Sequence, residues 1–353
     1  MTAGTIMARS SQRTNGQKVA LGVAVILVAA SAAWILFFAT GTSADPLVKG
    51  PEDFVKTLLN ALTISGLYFV VASGFTLIFG LMRVVNLAHG SLYLLGGYLA
   101  IEMQRKLVGT TGNFSSRDVG PGEWFIPLLA AALAVGLVGL VMQQVFLRWF
   151  QGQDMRETLI TIALSVILAD QMIATFGGLA VDIKWPAFLD GFLMIGEFGY
   201  SKSRLFMLLA GVLVGIALWV WLQKTRTGMV IRAGVDDTSM VQALGINVQV
   251  VFALAFFVGS ALAAAGGVMG GSFASLRTGV DGLWLLNSIV VVIVGGMGSL
   301  TGAAAGSLLL GIITAFSPAY LPTEFTNFSI IFTFVLLAAV LAWRPYGLFG
   351  RPE

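Results

Sequence analysis

Residues Lys56–Tyr98 read KTLLNALTISGLYFVVASGFTLIFGLMRVVNLAHGSLYLLGGY. Between Lys56 and Arg83 lie 26 residues without a charge, and between Arg83 and Glu102 another 18. About 20 apolar residues cross a bilayer as a helix, so this stretch predicts two spans parted by one arginine. The pattern continues in both directions. Lys18 to Asp45 encloses 26 uncharged residues, Glu123 to Arg148 encloses 24, Arg204 to Lys224 encloses 19 and Glu324 to Arg344 encloses 19. Glu157 to about Val181 is apolar apart from Asp170, the one acid this reading places inside a span. Two intervals exceed a single helix: Asp237 to Arg277 with 39 uncharged residues and Asp281 to Glu324 with 42. The first holds a polar connector and one span near Val250–Gly271. The second breaks at Gly295-Gly296-Met297-Gly298 and predicts two helices meeting at a glycine-rich turn, because irregular backbone is not tolerated against lipid.

The expected architecture is therefore an all-α polytopic membrane protein of about ten transmembrane helices. Eight or nine remain if the third or eighth segment is re-entrant, and broken helices are expected near 84–101 and 283–302. Composition agrees: of 353 residues, 57% are hydrophobic and 10% charged, against roughly 25% charged in soluble domains. The mean hydropathy of +0.91 excludes a soluble globular enzyme and a disordered chain. The net charge of +3, without a Lys/Arg run, gives no footing for a nucleic-acid partner; the bilayer is the expected surroundings. With no cysteine, thiol catalysis and zinc–thiolate sites lack their residues, and one histidine without a Gly-x-Ser-x-Gly elbow argues against a Ser-His-Asp hydrolase.

With ten spans both termini share a side. If that side is cytoplasmic, it carries eleven of the 20 basic residues, a slight positive-inside bias. Residues 1–50 form a basic tail and an extra first helix. Its apolar run of about 22 residues exceeds the 7–15 of a secretory core, so it is read as retained.

Three stretches carry chemistry. Arg83, Asn86 and His89 stand at i, i+3 and i+6, one side of a helix if the segment is helical from Arg83. Asn86 and His89 either line a polar path or satisfy each other and nearby carbonyls as packing. The loop 224–248 contains Ile231 and Val235, then Met240 and Leu244, each pair four apart, on either side of Asp236-Asp237. This predicts two short amphipathic helices, the second capped near Asp237, either docking a partner outside the bilayer or forming a plain solvated loop. Gly306–Gly311 (GSLLLG) echoes Gly90–Gly96 (GSLYLLG), as internal repeats of transporters do. No Gly-Lys-Ser or Gly-Lys-Thr of a phosphate-binding loop occurs.

These stretches together resemble the permease subunits of bacterial branched-chain amino acid ABC importers, of the Liv H type. NLAHGSLYLLGGY (Asn86–Tyr98), RAGVDDTSMVQALGI (Arg232–Ile246), GGMGSLTGAAAGSLLLG (Gly295–Gly311) and the tail PYGLFGRPE (Pro345–Glu353) carry the likeness, in order from about Pro51 to the end. The resemblance implies a permease domain over 51–353 that catalyses no covalent chemistry. It implies a second related permease, two cytoplasmic ATPases that bind ATP and Mg, and a periplasmic substrate-binding protein, all at the inner membrane. The chain itself would carry no cofactor or metal. Arg232, Asp236, Asp237, Ala243, Leu244, Gly245 and Ile246 would form the ATPase-coupling loop. A zwitterionic substrate needs a polar path, for which Asn60, Ser65, Tyr68, Asn86, His89, Tyr93, Gln171, Asn287 and Ser288 stand at membrane depth. Urea and short amides are the alternative cargo, and a stand-alone secondary transporter the alternative machine.

Overall fold

A computed structural model describes residues 51–109, 119–195, 198–321 and 329–350. The expected first span, in 1–50, lies outside the described residues. The described chain is almost entirely helical. Helix α1 (Pro51–Met82) is the axis of the bundle, with Val70, Val71 and Ala72 fully buried. A connector, 83–88, leads to α2 (His89–Val108). Helix α3 (Gly122–Val141) runs on through a π-helical turn, Met142–Leu147, and a 3-10 turn, Arg148–Phe150. Then come α4 (Asp154–Phe176), a two-stranded antiparallel hairpin of β1 (Phe192–Ile195) and β2 (Phe198–Ser201), and α5 (Lys202–Lys224). Two short helices follow, α6 (Arg226–Asp236) and α7 (Thr238–Ala243). The chain closes with α8 (Val248–Phe273), α9 (Val280–Gly295), α10 (Leu300–Tyr320) and α11 (Ser329–Trp343).

Six of the described segments are long and apolar enough to cross a membrane: Glu52–Met82, Gly122–Phe150, Asp154–Phe176, Lys202–Lys224, Val248–Phe273 and Leu300–Tyr320. The protein is an all-α, multi-pass membrane protein. Helix α1 packs on α5, α8, α9 and α10. Lipid tails give apolar side chains no reason to leave them for one another, so close packing must supply the association. Small residues provide it where α1 crosses its neighbours: Gly74 against Gly259 of α8, and Gly66 against Gly211 of α5.

The interval Asp281–Glu324 divides as expected, into α9 and α10 joined by a turn at 296–299. The first break sits otherwise. Helix α1 stops at Met82, Arg83 takes a left-handed conformation (φ 58), and 83–88 is an irregular connector ending in a turn at 87–88, whereas 89–108 is unbroken. Arg83, Asn86 and His89 therefore do not share a helix face. The GSLYLLG stretch starts α2, but its echo, Gly306–Gly311, lies inside α10 with no break beside it. The structural counterpart of the first connector is 274–279, between α8 and α9. It is also six residues, and each connector closes on a backbone bond into the first residue of its helix: His89 N to Asn86 O (3.2 Å) and Val280 N to Arg277 O (3.3 Å).

Candidate functional site

The two connectors bring helix starts to the middle of the membrane. His89 Nε2 donates to the carbonyl of Val71 at 3.0 Å. Val71 precedes the end of α1 by eleven residues, about 16 Å at about 1.5 Å per residue, or half of a hydrocarbon core of about 30 Å. The start of α9 lies beside the start of α2: a Cβ on Gly90 would overlap the carbonyl oxygen of Asp281 and stand 3.0 Å from Leu285 Cβ. Helix α9 has 16 residues, about 24 Å, short of the about 30 Å of a full crossing.

Local chemistry holds the first connector in place. Asn86 Oδ1 accepts from Ala88 N (3.1 Å), the side-chain turn that lets α2 begin. Helix α4 covers the connector with hydroxyls at i and i+4. Leu87 N donates to Thr161 Oγ1 (3.2 Å), and Ser165 Oγ lies 2.9 Å from Ser91 Oγ. Ser91 Oγ is also 3.3 Å from Asp281 Oδ2. If Ser165 donates to Ser91 and Ser91 to the carboxylate, one proton per hydroxyl satisfies the whole chain. Asn86 Nδ2 and His89 Nδ1 are buried here without a hydrogen-bond partner among the described residues.

Above the carboxylate stands an aromatic group. Trp284, one turn beyond Asp281, stacks on Tyr93 (4.5 Å between ring centroids, 23°) and meets Tyr68 at 5.5 Å. Asn287 Nδ2 reaches Tyr68 Oη at 3.4 Å, and Ser288 Oγ bonds the Trp284 carbonyl at 2.7 Å. Six of the residues read as path candidates, Tyr68, Asn86, His89, Tyr93, Asn287 and Ser288, are thus gathered around the starts of α2 and α9. The other three are elsewhere. Asn60 pairs with Arg204, Ser65 bonds its own helix at Ala61 O (2.7 Å), and Gln171 is on the exposed face of α4. Asp170 is exposed beside Gln171 on α4. The acid beside the aromatic group is Asp281. In the sequence Asp281 marks the end of a charge-free interval; the signal of its depth is that only 14 residues lie between it and Gly296, where the helix has ended.

The loop 224–248 forms the two short helices expected of it. Thr225 caps α6, accepting from Gly228 N (3.1 Å), and Asp237 caps α7, accepting from Ser239 N (2.9 Å) and Met240 N (3.1 Å). Gly245 ends the unit with φ +78, a conformation that strains any residue with a Cβ. Ile231 and Val241, each 2% exposed, pack with Leu77 and Leu81 of α1 and Phe252 of α8. The unit thereby rides on the Met82 end of the bundle. Its outer surface carries Met240 and Leu244, 59% and 69% exposed, with Arg232, Asp237 and Ala243 exposed and Ile246 half-buried. Asp236 is the last residue of α6.

Comparison with known proteins addresses the chain as a whole. Residues 57–341 match the family described as the permease component of the branched-chain amino acid transport system. The chain belongs to that family. The permease is 30% identical over 313 residues to the high-affinity branched-chain amino acid transport system permease protein LivH of Escherichia coli, covering 85% of this chain and 96% of that protein. It is 29% identical to LivH of Salmonella typhimurium over 307 residues (85% and 96%) and 28% identical to BraD of Pseudomonas aeruginosa over 309 (85% and 97%). No solved structure matches the permease significantly.

Proposed function

We propose that this permease is the membrane subunit of an ATP-driven importer that moves branched-chain or related amino acids across the inner membrane by alternating access. It pairs with a second related permease, two cytoplasmic ATPases that hold ATP and Mg, and a periplasmic binding protein that delivers the cargo. Residues 51–353 are the permease domain, residues 1–50 add a tail and a helix, and both termini are cytoplasmic. The observation that carries the reading is the α6–α7 unit. A capped helix pair is fixed by Ile231 and Val241 to α1 and α8, yet it presents Met240 and Leu244 outward on the polar end of a membrane bundle. Exposed apolar side chains on a rigid mount suit docking to a soluble partner, and force applied there passes directly into α1, the helix that ends at the first connector.

The test is uptake in vesicles. The chain reconstituted with the second permease, both ATPases and leucine-loaded binding protein should accumulate leucine only with ATP. Leucine uptake by this chain alone, driven by an ion gradient, would overturn the reading and establish a secondary transporter. Uptake of urea or a short amide in place of leucine would leave the machine standing and replace its cargo.

A further inference from the structure

We propose that Asp281 is an anionic subsite in the membrane that receives the ammonium group of the transported amino acid, with Trp284 beside it receiving the apolar side chain. The inference rests on the importer reading and names the chemistry inside the path.

Four observations converge on it. First, Asp281 is a carboxylate at half the depth of the bundle, placed there by the contact of Gly90 with its carbonyl. An intramembrane acid is costly, and such residues face a cavity or a partner charge. Second, among the described residues no lysine or arginine side chain pairs with it. Its side-chain contact is the Ser91 hydroxyl, so the charge is oriented but not neutralised. Its place in the first turn of α9 favours a negative charge there through the helix dipole. Third, the Asp281 carboxylate receives one hydroxyl, that of Ser91, among the described residues, which leaves acceptor capacity on its oxygens unfilled. An ammonium with three donors supplies what is missing.

Fourth, the site opens to the surface of the chain. Asp281 and Trp284 are half-buried, Gly279 and Gly282 are exposed, Leu283 is 49% exposed, and nothing stands within 4 Å of a Cβ built on Gly282. Trp284 is held flat on Tyr93, and an indole face next to a carboxylate suits a short alkylammonium through cation–π attraction as well as charge. Asn86 and His89 do not offer this, because they are closed into the core behind α4.

The chain has no cysteine, which makes Gly282→Cys a clean reporter in the assembled complex. Labelling by a cationic and an anionic methanethiosulfonate is followed by the mass of this chain, and each rate is divided by that of free cysteine. The cation should be preferred at least about tenfold, as expected for a unit charge a few ångströms away in a medium of intermediate dielectric. Asp281→Asn in the same background should remove the preference, and loaded binding protein should slow the labelling. Leucine uptake should fall at least about tenfold in Asp281→Asn and be partly restored in Asp281→Glu. A cation preference equal to that of free cysteine, or no labelling in any nucleotide state, overturns the proposal. Both results are measured on the chain that keeps Asp281 and do not depend on how Asp281→Asn folds. Normal leucine uptake by Asp281→Asn overturns it equally. Failure of the unsubstituted complex to import any branched-chain amino acid would instead sink the importer reading, while the charge preference at residue 282 would still stand or fall alone.

Discussion

Gly90, the second residue of α2, lies on the backbone carbonyl of Asp281, the second residue of α9, with no space for a methyl group between them. Two helices that run in different parts of the sequence are thereby fixed start to start. The obstructing atom is backbone, so it has no rotamer by which to yield. Gly90→Ala should lower the stability of the folded protein by about 1–3 kcal/mol, the usual cost of overpacking. Gly282→Ala, one residue past Asp281 with open space around it, should be neutral. Thermal unfolding of both variants in detergent, read side by side, checks the pair.

Thr161 gives a second measure of how the first connector is held. Its hydroxyl accepts from Leu87 N, a backbone donor in a segment with no helix to satisfy it. Thr161→Val keeps the shape and deletes the acceptor. A buried amide left unpaired costs about 1–3 kcal/mol, so the variant should unfold at a lower temperature although no volume has changed. An unshifted unfolding temperature would mean that the connector does not depend on α4.

His89 stands between packing and chemistry. Its Nε2 donates to Val71 O, its ring is edge-on to Phe75 at 5.3 Å, and the whole side chain is buried. The geometry is that of a strut holding α2 to α1. His89→Gln retains a donor in reach and should keep leucine uptake within about threefold, whereas His89→Leu removes it at a net cost near 1 kcal/mol. Loss of uptake in His89→Gln, with disappearance of a pH dependence near neutral, would show that the ring moves protons.

Much of this fold was legible because a bilayer permits few answers. Each described span centres on an apolar interval, interrupted only in α4 by Asp170, and the 42-residue one divides at its glycines, since a helix closes its backbone bonds within itself. Depth was not legible. Nothing in RVVNLA says that Arg83 leaves α1 with a positive φ and that a six-residue irregular connector returns the chain to the level of Val71. Periodicity from Arg83 assumed a helix that ends one residue earlier. The same limit hid Asp281: a charge at the edge of an apolar interval reads as the water boundary, and only the shortness of α9 and the contact with Gly90 move it to mid-membrane. Tyr68, Asn86, His89, Tyr93, Asn287 and Ser288 come into one neighbourhood, as polar groups at membrane depth find one another, whereas Asn60 meets Arg204 and Gln171 faces outward.

The α6–α7 unit separates mount from contact surface, and substitutions can address each alone. Leu244 is 69% exposed and Met240 59%, so Leu244→Ser and Met240→Ser remove no core contact and should leave the unfolding temperature unchanged. If the unit docks on an ATPase, the pair of exposed apolar side chains is the anchor, and truncating such an anchor costs about 1–2 kcal/mol or more of binding. Co-purified ATPase should fall about tenfold or more, and uptake with it. Asp237→Ala acts on the mount. It strips the cap from Ser239 N and Met240 N, costs about 1 kcal/mol of helix stability, and should weaken coupling with the anchor still present. Gly245→Leu has space for its side chain but not for its backbone, at φ +78, and belongs with the mount; Gly245→Asn, which tolerates that conformation, should be milder. The measurement is paired: leucine uptake, and stimulation of ATP hydrolysis by loaded binding protein, in the reconstituted complex. If Leu244→Ser and Met240→Ser leave ATPase recovery, uptake and stimulation at the starting level, the unit is a solvated connector. If uptake falls only through a changed apparent affinity for free substrate, it lies nearer the path than its place at the Met82 end of the bundle implies.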